Sequence, residues 1–293
     1  MCKKIVALYI LCGILLTIPQ IVVAQTDGIV AAKSRITGMM KEQPQDSTKR
    51  KTPFKPKVLP NEAFNDSEIL KYEMHYGFIV GGRATATLTK VVLNGQTVLH
   101  AKGEAKTVGM ADMLFKVYDV YESWFDAATN LPVKAIRNIN EGRYKNYSES
   151  VFYQDRDSVY SSKLKAYSRV RSEIGIFDLV SAFYYARRVS FRNLKVGDVV
   201  QFNTFFDDKP FLLEVKFRGV EVIKTKFGKI RCLKFNPLVE PGRVFDTEND
   251  VIFWITDDKN FIPMRVQMNL MIGSFKTDLV EHKGLRNPLQ VVK

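Results

Sequence analysis

From Glu68 onward the chain alternates apolar and polar positions with a period of two. In ILKYEMHYGFIVGGRATATL, Tyr72, Met74, Tyr76 and Phe78 fall on one side, with Lys71, Glu73 and His75 between them. That period predicts a strand with one buried face. Gly81-Gly82 permits a bend or bulge, and Arg83 to Val92 continues as a second strand. Asn94-Gly95 is a tight-turn dipeptide, after which Thr97 to Ala105 returns. Lys116 to Phe125 is rich in Tyr, Val, Phe and Trp, and EGRYKNYSESVFYQDRDSVYSSKLK reads as two amphipathic strands joined at Asp155-Arg156-Asp157.

One segment breaks the period. FDLVSAFYYARRVSFR offers Asp178 as an N-cap, apolar residues at helical spacing, and Arg187-Arg188 near its end. These are helix start and stop signals. They predict one helix from about 178 to 188, with Leu179, Val180, Phe183 and Ala186 packed inward. Strands then resume at Val199 to Phe206, after a turn at 195–198. Asp207-Asp208-Lys209-Pro210 makes a further turn, and Phe211, Leu213, Val215 and Phe217 alternate beyond it. Val220 to Lys224 continues, and Phe227-Gly228-Lys229 turns into the Cys232 strand. After Pro263, Met264, Val266, Met268 and Leu270 alternate with Arg265, Gln267 and Asn269.

SWFDAATNLPVKAIRN and FWITDDKNFIPMRVQM stand 130 residues apart, around the only two tryptophans, Trp124 and Trp254. Each runs from the Trp through polar turn residues to a Pro (Pro132, Pro263) and a basic residue (Lys134, Arg265). Asp and Asn accept turn geometry, and Pro does least harm at a strand start. The phrase predicts one hairpin used twice, once in each of two similar halves at about 67–170 and 190–288. The whole reads as a mainly β domain over 67–288. We expect an antiparallel curved sheet, sandwich or half-open barrel of roughly 12 to 14 strands with one helix near 178–188.

The start of the chain has another character. Lys3-Lys4 precede an apolar run from Ile5 to Ile18, and Val22-Val23-Ala24 supplies small residues for a cut. The run is shorter than the roughly 20 residues that span a bilayer. Residues 1–24 therefore read as a secretory signal peptide cleaved after Ala24, leaving no transmembrane segment. Leu11 before Cys12 is too large for a lipid-attachment site. Cleavage removes Cys2 and Cys12 and leaves Cys232 alone, so the expected mature chain holds no internal disulfide. Cys232 sits in an alternating stretch and reads as a small buried hydrophobe.

The net charge is +13. Residues 25–57 hold eight basic and three acidic side chains, with Pro44, Pro53 and Pro56 and no periodicity. The stretch 25–66 thus reads as a disordered basic linker, attracted to anionic surfaces. Behind a signal peptide those are lipid headgroups, acidic glycans or acidic proteins, and nucleic acid is not an expected partner.

Sites of chemistry are sparse. His75, His100 and His282 stand apart from one another, and no HExxH or CxxC occurs. Gly77, Gly81 and Gly82 lack the Lys and helix of a phosphate loop. Ser181 lies in the predicted helix without a nucleophile elbow. Asp246, Glu248, Asp250 and Asp257-Asp258 precede or form turns and make no calcium loop. Glu141, Glu149 and Glu173 remain available for carboxylate chemistry if folding joins them. Phe205-Phe206 and Tyr184-Tyr185 are adjacent aromatic pairs, of which one member each is expected to point away from the core. No catalytic residue, metal ligand or cofactor is assigned, and ligand-binding residues are unknown at this level.

The stretches LKYEMHYGFIVGGRATATL, FDLVSAFYYAR, LKVGD, FGKIRCLKFNP and WITDDKNFIPMRV resemble the secreted bacterial family catalogued as domain of unknown function 3108, from about Glu68 to Pro288. The resemblance implies a β-rich fold in the envelope of a Gram-negative bacterium, in the periplasm or at the outer-membrane periphery, and carries over no catalytic residues. The Trp–turn–Pro hairpin is also similar to those of periplasmic lipoprotein-carrier half-barrels. The expected function is a non-enzymatic envelope domain binding a lipid, a lipidated protein or a glycan. The alternatives are a structural or assembly protein acting through protein contacts, and an envelope-polymer hydrolase.

Overall fold

The computed structural model describes residues 54–189, 191, 193–238, 250–269 and 273–292. The expected signal peptide 1–24, most of the expected basic linker, Leu270, Asp246 and Glu248 lie outside the described residues. Fifteen strands form one antiparallel sheet among the described residues. They are β1 (Ile69–Tyr76), β2 (Ile79–Leu93), β3 (Gln96–Thr107), β4 (Tyr118–Asp126), β5 (Pro132–Glu141), β6 (Tyr144–Tyr153), β7 (Ser158–Ser161), β8 (Ala166–Arg169), β9 (Val199–Phe206), β10 (Lys209–Thr225), β11 (Gly228–Pro237), β12 (Val251–Thr256), β13 (Pro263–Asn269), β14 (Ser274–Lys283) and β15 (Val291–Val292). Two helices accompany them: α1 (Gly109–Leu114) and α2 (Leu179–Ala186).

The order across the sheet is β8-β7-β6-β5-β4-β3-β2-β1-β14-β13-β12-β11-β10-β9, with β15 on β11. The first half of the chain is one wing and the second half the other, joined where β1 pairs β14. β8 and β9 are open edges that do not pair with each other. They nevertheless come close. In a flat sheet the ten interstrand steps from β5 to β9 would span about 48 Å, yet Arg137 of β5 lies 2.7 Å from Asp207, just after β9. The sheet therefore curls.

The seam is closed by side chains and one strip of backbone. Asp207 and Asp208 both take left-handed φ, 49° and 61°, as a two-residue hairpin turn requires. Asp tolerates that conformation better than most residues. Asp208 accepts hydrogen bonds from the Ser148 and Ser161 hydroxyls of the opposite wing. Phe177 runs parallel to β9 and exchanges backbone bonds with Asn203 and Phe205 at 3.0 and 2.8 Å.

The helix read from the sequence is α2, and it lies inside the curl. Asp178 caps it through the Val180 and Ser181 amides, and the Ser181 hydroxyl returns the bond to the Asp178 N–H. The inward set differs from expectation. Leu179, Val180, Ala182, Tyr184 and Tyr185 are buried, while Phe183 and Ala186 are half-buried. A helix wrapped by a sheet buries most of its circumference, so a single stripe does not describe it. For the same reason both Tyr184 and Tyr185 are inside, against Phe125 and Phe177 respectively. Phe205 and Phe206 are also both buried, because the seam covers the second face of β9.

Two other expectations need correction. β1 stops at Tyr76, since Gly77 turns left-handed (φ 59°); Tyr76 and Phe78 are exposed rather than on the buried face. The linker is not featureless to residue 66: residues 54–66 lack regular structure but bury Leu59, Ala63 and Phe64. Gly81 is the bulge residue, where the β1–β2 register slips between Met74 and His75.

The two tryptophan hairpins match in detail. Trp124 faces Lys134 and Phe125 faces Pro132; Trp254 faces Arg265 and Ile255 faces Pro263, and the register slips at the same step in both. Asn130 and Phe261, two residues before each Pro, are left-handed, with φ of 60° and 49°. The Asp126 N–H donates to Leu131 O and the Thr256 N–H to Ile262 O, closing equivalent turns at 3.0 and 2.9 Å. A lysine lies over each indole, though from different strands: Lys134 of the return strand β5 at 5.5 Å and Lys234 of the neighbouring β11 at 5.4 Å. The one-residue difference in spacing is absorbed inside the turn.

Candidate functional site

Two concavities flank α2. The first is an apolar groove between α2 and the inner face of β9–β13. Strand alternation supplies Val200, Phe202, Leu213, Val215, Phe235, Phe253 and Ile255; the turn before β13 adds Phe261 and Pro263; Ala182, Phe183, Ala186 and Phe191 close it from the helix side. The space it encloses is about 70 Å³, and the rest of the cleft is open to solvent. Every lining side chain is hydrocarbon or aromatic, so the groove offers no side-chain hydrogen bond and no charge.

The second lies on the seam, where Tyr121, Glu122, Arg137, Ser148, Ser150, Asp178 and the Asp207-Asp208 turn meet a mainly apolar lining that includes Ile136, Leu179 and Phe205. Its charges are already matched. Arg137 pairs with Asp207, Asp208 takes two hydroxyls, and Asp178 is spent on the helix cap and on the Ser123 hydroxyl at 2.6 Å. Burial pushes the Asp178 carboxyl up against these bonds. Burial also pushes up the Tyr121 phenol, although the Arg137 guanidinium opposes it. This cluster is a latch between the wings.

A buried ion pair anchors the other end of α2. Arg187, read from sequence as a helix stop signal, has no exposed side-chain surface. It grips Glu68 with two nitrogens at 2.5 and 2.8 Å and donates from Nε to Asn260 O at 2.9 Å. The rings of Phe64, Phe183 and Tyr184 surround the guanidinium at 5.1–5.5 Å. Burial opposes its charge, but Glu68 and the nearby Tyr184 and Tyr72 hold its pKa above the ordinary arginine value.

The residues considered for chemistry are scattered. His100 stacks on Trp124 and bonds to Glu122 at 2.8 Å; His282 lies against Phe227; His75 sits on β1 opposite Lys276. No cluster able to hold a metal occurs among the described residues. Burial raises the Cys232 thiol to about 12, so it holds its proton. Ser181 serves the cap. Asp257 pairs with Arg231, and Asp258 accepts from its own turn; Asp250 carries a backbone bond from Asn269.

Glu149 pairs with Lys134, Glu173 is exposed, and Glu141 meets Asp119 instead of either. Asp119, which sequence reasoning missed, is buried, and burial raises its carboxyl to about 7. Nothing in its strand pattern distinguished it from an exposed polar residue. The groove residues were legible as alternating core positions, and most of them are buried; the cleft among them was not legible.

The fold is therefore that of an open, curled antiparallel sheet enclosing a helix, a β-barrel-like class of protein. Within that class the chain belongs to the family described as Protein of unknown function (DUF3108), whose model matches residues 71–280. No curated protein matches it in sequence. A β-barrel-like protein of the domain of unknown function DUF1849 from Brucella abortus superposes with a TM-score of 0.50 at 10% identity, covering 76% of this chain and 99% of that one. A putative exported protein with a YmcC-like fold from Bacteroides fragilis gives a TM-score of 0.31 at 10% identity, over 79% and 100%. No helix of the described residues is long and apolar enough to cross a membrane.

Proposed function

We propose that this protein is a non-enzymatic module of the bacterial envelope that holds a hydrocarbon chain in the groove between α2 and β9–β13. The lining carries the reading: thirteen residues meet there and none has a polar side chain. A sugar would lose its water hydrogen bonds in such a groove without replacement, so the lining selects an acyl chain over a glycan. The occupant is the chain of a lipid or of a lipidated protein.

The amino-terminal pattern Lys3-Lys4, Ile5–Ile18, Val22-Val23-Ala24 supports export with cleavage after Ala24. N-terminal sequencing of chain recovered from the envelope should then begin at Gln25. The basic residues of 25–57 would add salt-sensitive attraction to an anionic surface. Titration with a fluorescent fatty acid tests the groove. Ala186→Trp places an indole in the groove from a half-buried helix position. It should abolish probe binding while the circular dichroism of the sheet is unchanged. Equal binding by both proteins would remove this reading.

A further inference from the structure

Four large apolar side chains stand in water on one rim of the sheet. Phe78 is 94% exposed, Met110 71%, Met113 87% and Leu114 84%. Phe78 tips the β1–β2 turn, and the other three belong to α1, which buries none of its residues. The two turns are neighbours: the Val108 N–H donates to Gly81 O at 3.0 Å, and a Cβ on Gly81 would lie 3.5 Å from that of Ala111. Short helices gain their stability from packing an apolar face. Here the face is present and unpacked, and such patches mark interaction surfaces.

The charge around the tips indicates the partner. Lys106 precedes α1 and Lys116 follows it. Arg143 stands on the β5–β6 turn beside it and Lys145 at the start of β6, where the Gly142 N–H donates to Lys116 O at 2.8 Å. All four are exposed. Acids are fewer at this rim: Glu104 is offset by Lys102, Glu141 shares a hydrogen bond with buried Asp119, and Asp112, held by the Thr107 hydroxyl, is the one acid on α1. Tyr118 and Tyr144, at the starts of β4 and β6, lie half-exposed at the same rim. Exposed apolar tips accompanied by tyrosines and cations are the residue classes with which a polypeptide meets a bilayer interface.

We propose that this rim docks on an anionic lipid bilayer, with Phe78, Met110, Met113 and Leu114 entering the boundary between headgroups and acyl chains and the cations meeting lipid phosphates. A second copy fits less well, because a symmetric contact would set these cations against their own kind. The rim lies at the strand ends opposite those carrying Phe261 and Pro263 of the groove. Docking here is thus independent of what the groove holds.

The test uses the full chain and vesicles of phosphatidylcholine with or without phosphatidylglycerol. In Phe78→Trp, the introduced indole should shift its emission to the blue on the anionic vesicles and be quenched by brominated lipid, beyond any response of wild type. Met113→Ser/Leu114→Ser, both at exposed positions, should weaken vesicle co-sedimentation by about tenfold or more. Absence of shift and quenching while the chain sediments with vesicles would overturn the proposal, because another segment would then make the contact. So would a concentration-dependent dimer that the double substitution abolishes and vesicles leave unaffected.

Discussion

Arg187 and Glu68 are charged groups with almost no access to water, and both are fully hydrogen-bonded. Removing one partner leaves the other charge buried and alone, which costs about 3–5 kcal/mol. Arg187→Met should lower stability to urea by that amount, and adding Glu68→Met should recover part of it. Asp119 is the opposite case, a buried carboxyl that gains little from its neighbours. Its folded pKa of about 7 stands above the ordinary 3.8. Between those values the folded state binds more protons than the unfolded one, so stability falls as pH rises through the window. The loss should be on the order of 3 kcal/mol. Asp119→Asn keeps an oxygen for the Asn140 N–H and should flatten the slope between pH 4 and 7 in thermal melts. Asp178 was legible in the sequence because an N-cap is a local device, and Arg187 was legible only as a helix stop. Arg187 and Glu68 are 119 positions apart, and no local pattern links them.

The elements that local chemistry defines came through well. The Asp178 helix, the Asn94-Gly95 turn and both tryptophan hairpins form where turn and cap residues set them. The hairpins even share their register slip. What local pattern could not show was how far an element would be enclosed. Alternation names the apolar side of a strand, but the end of β9 is covered on both sides and α2 nearly all round. α1 was missed because its apolar residues face water and follow no burial period. The Asp207-Asp208 turn was legible as a turn but not as a latch, since its partners Ser148 and Ser161 lie in the opposite wing. Asp208→Asn keeps a side chain that tolerates left-handed φ but removes the charge from two hydrogen bonds. We expect a loss of about 1–2 kcal/mol and faster amide exchange in β9 than in β1, measured residue by residue.

At the scale of the molecule, antiparallel β class and two-winged organisation follow from period-two patterning along the chain. Curvature does not, because it depends on contacts across ten strand positions. That curvature leaves a narrow cleft in the core: Phe202, Leu213, Phe235 and Phe253 are buried, and beside α2 they line the cleft together with half-buried Val200, Val215, Phe183 and Ala186. Native mass spectrometry of the chain, purified from its envelope without detergent, tests this most directly. The account predicts an adduct with the mass of an acyl-chain lipid on the wild-type protein and its loss in Ala186→Trp. A bare mass for the wild-type chain, with no thermal shift when envelope lipids are added back, would contradict it.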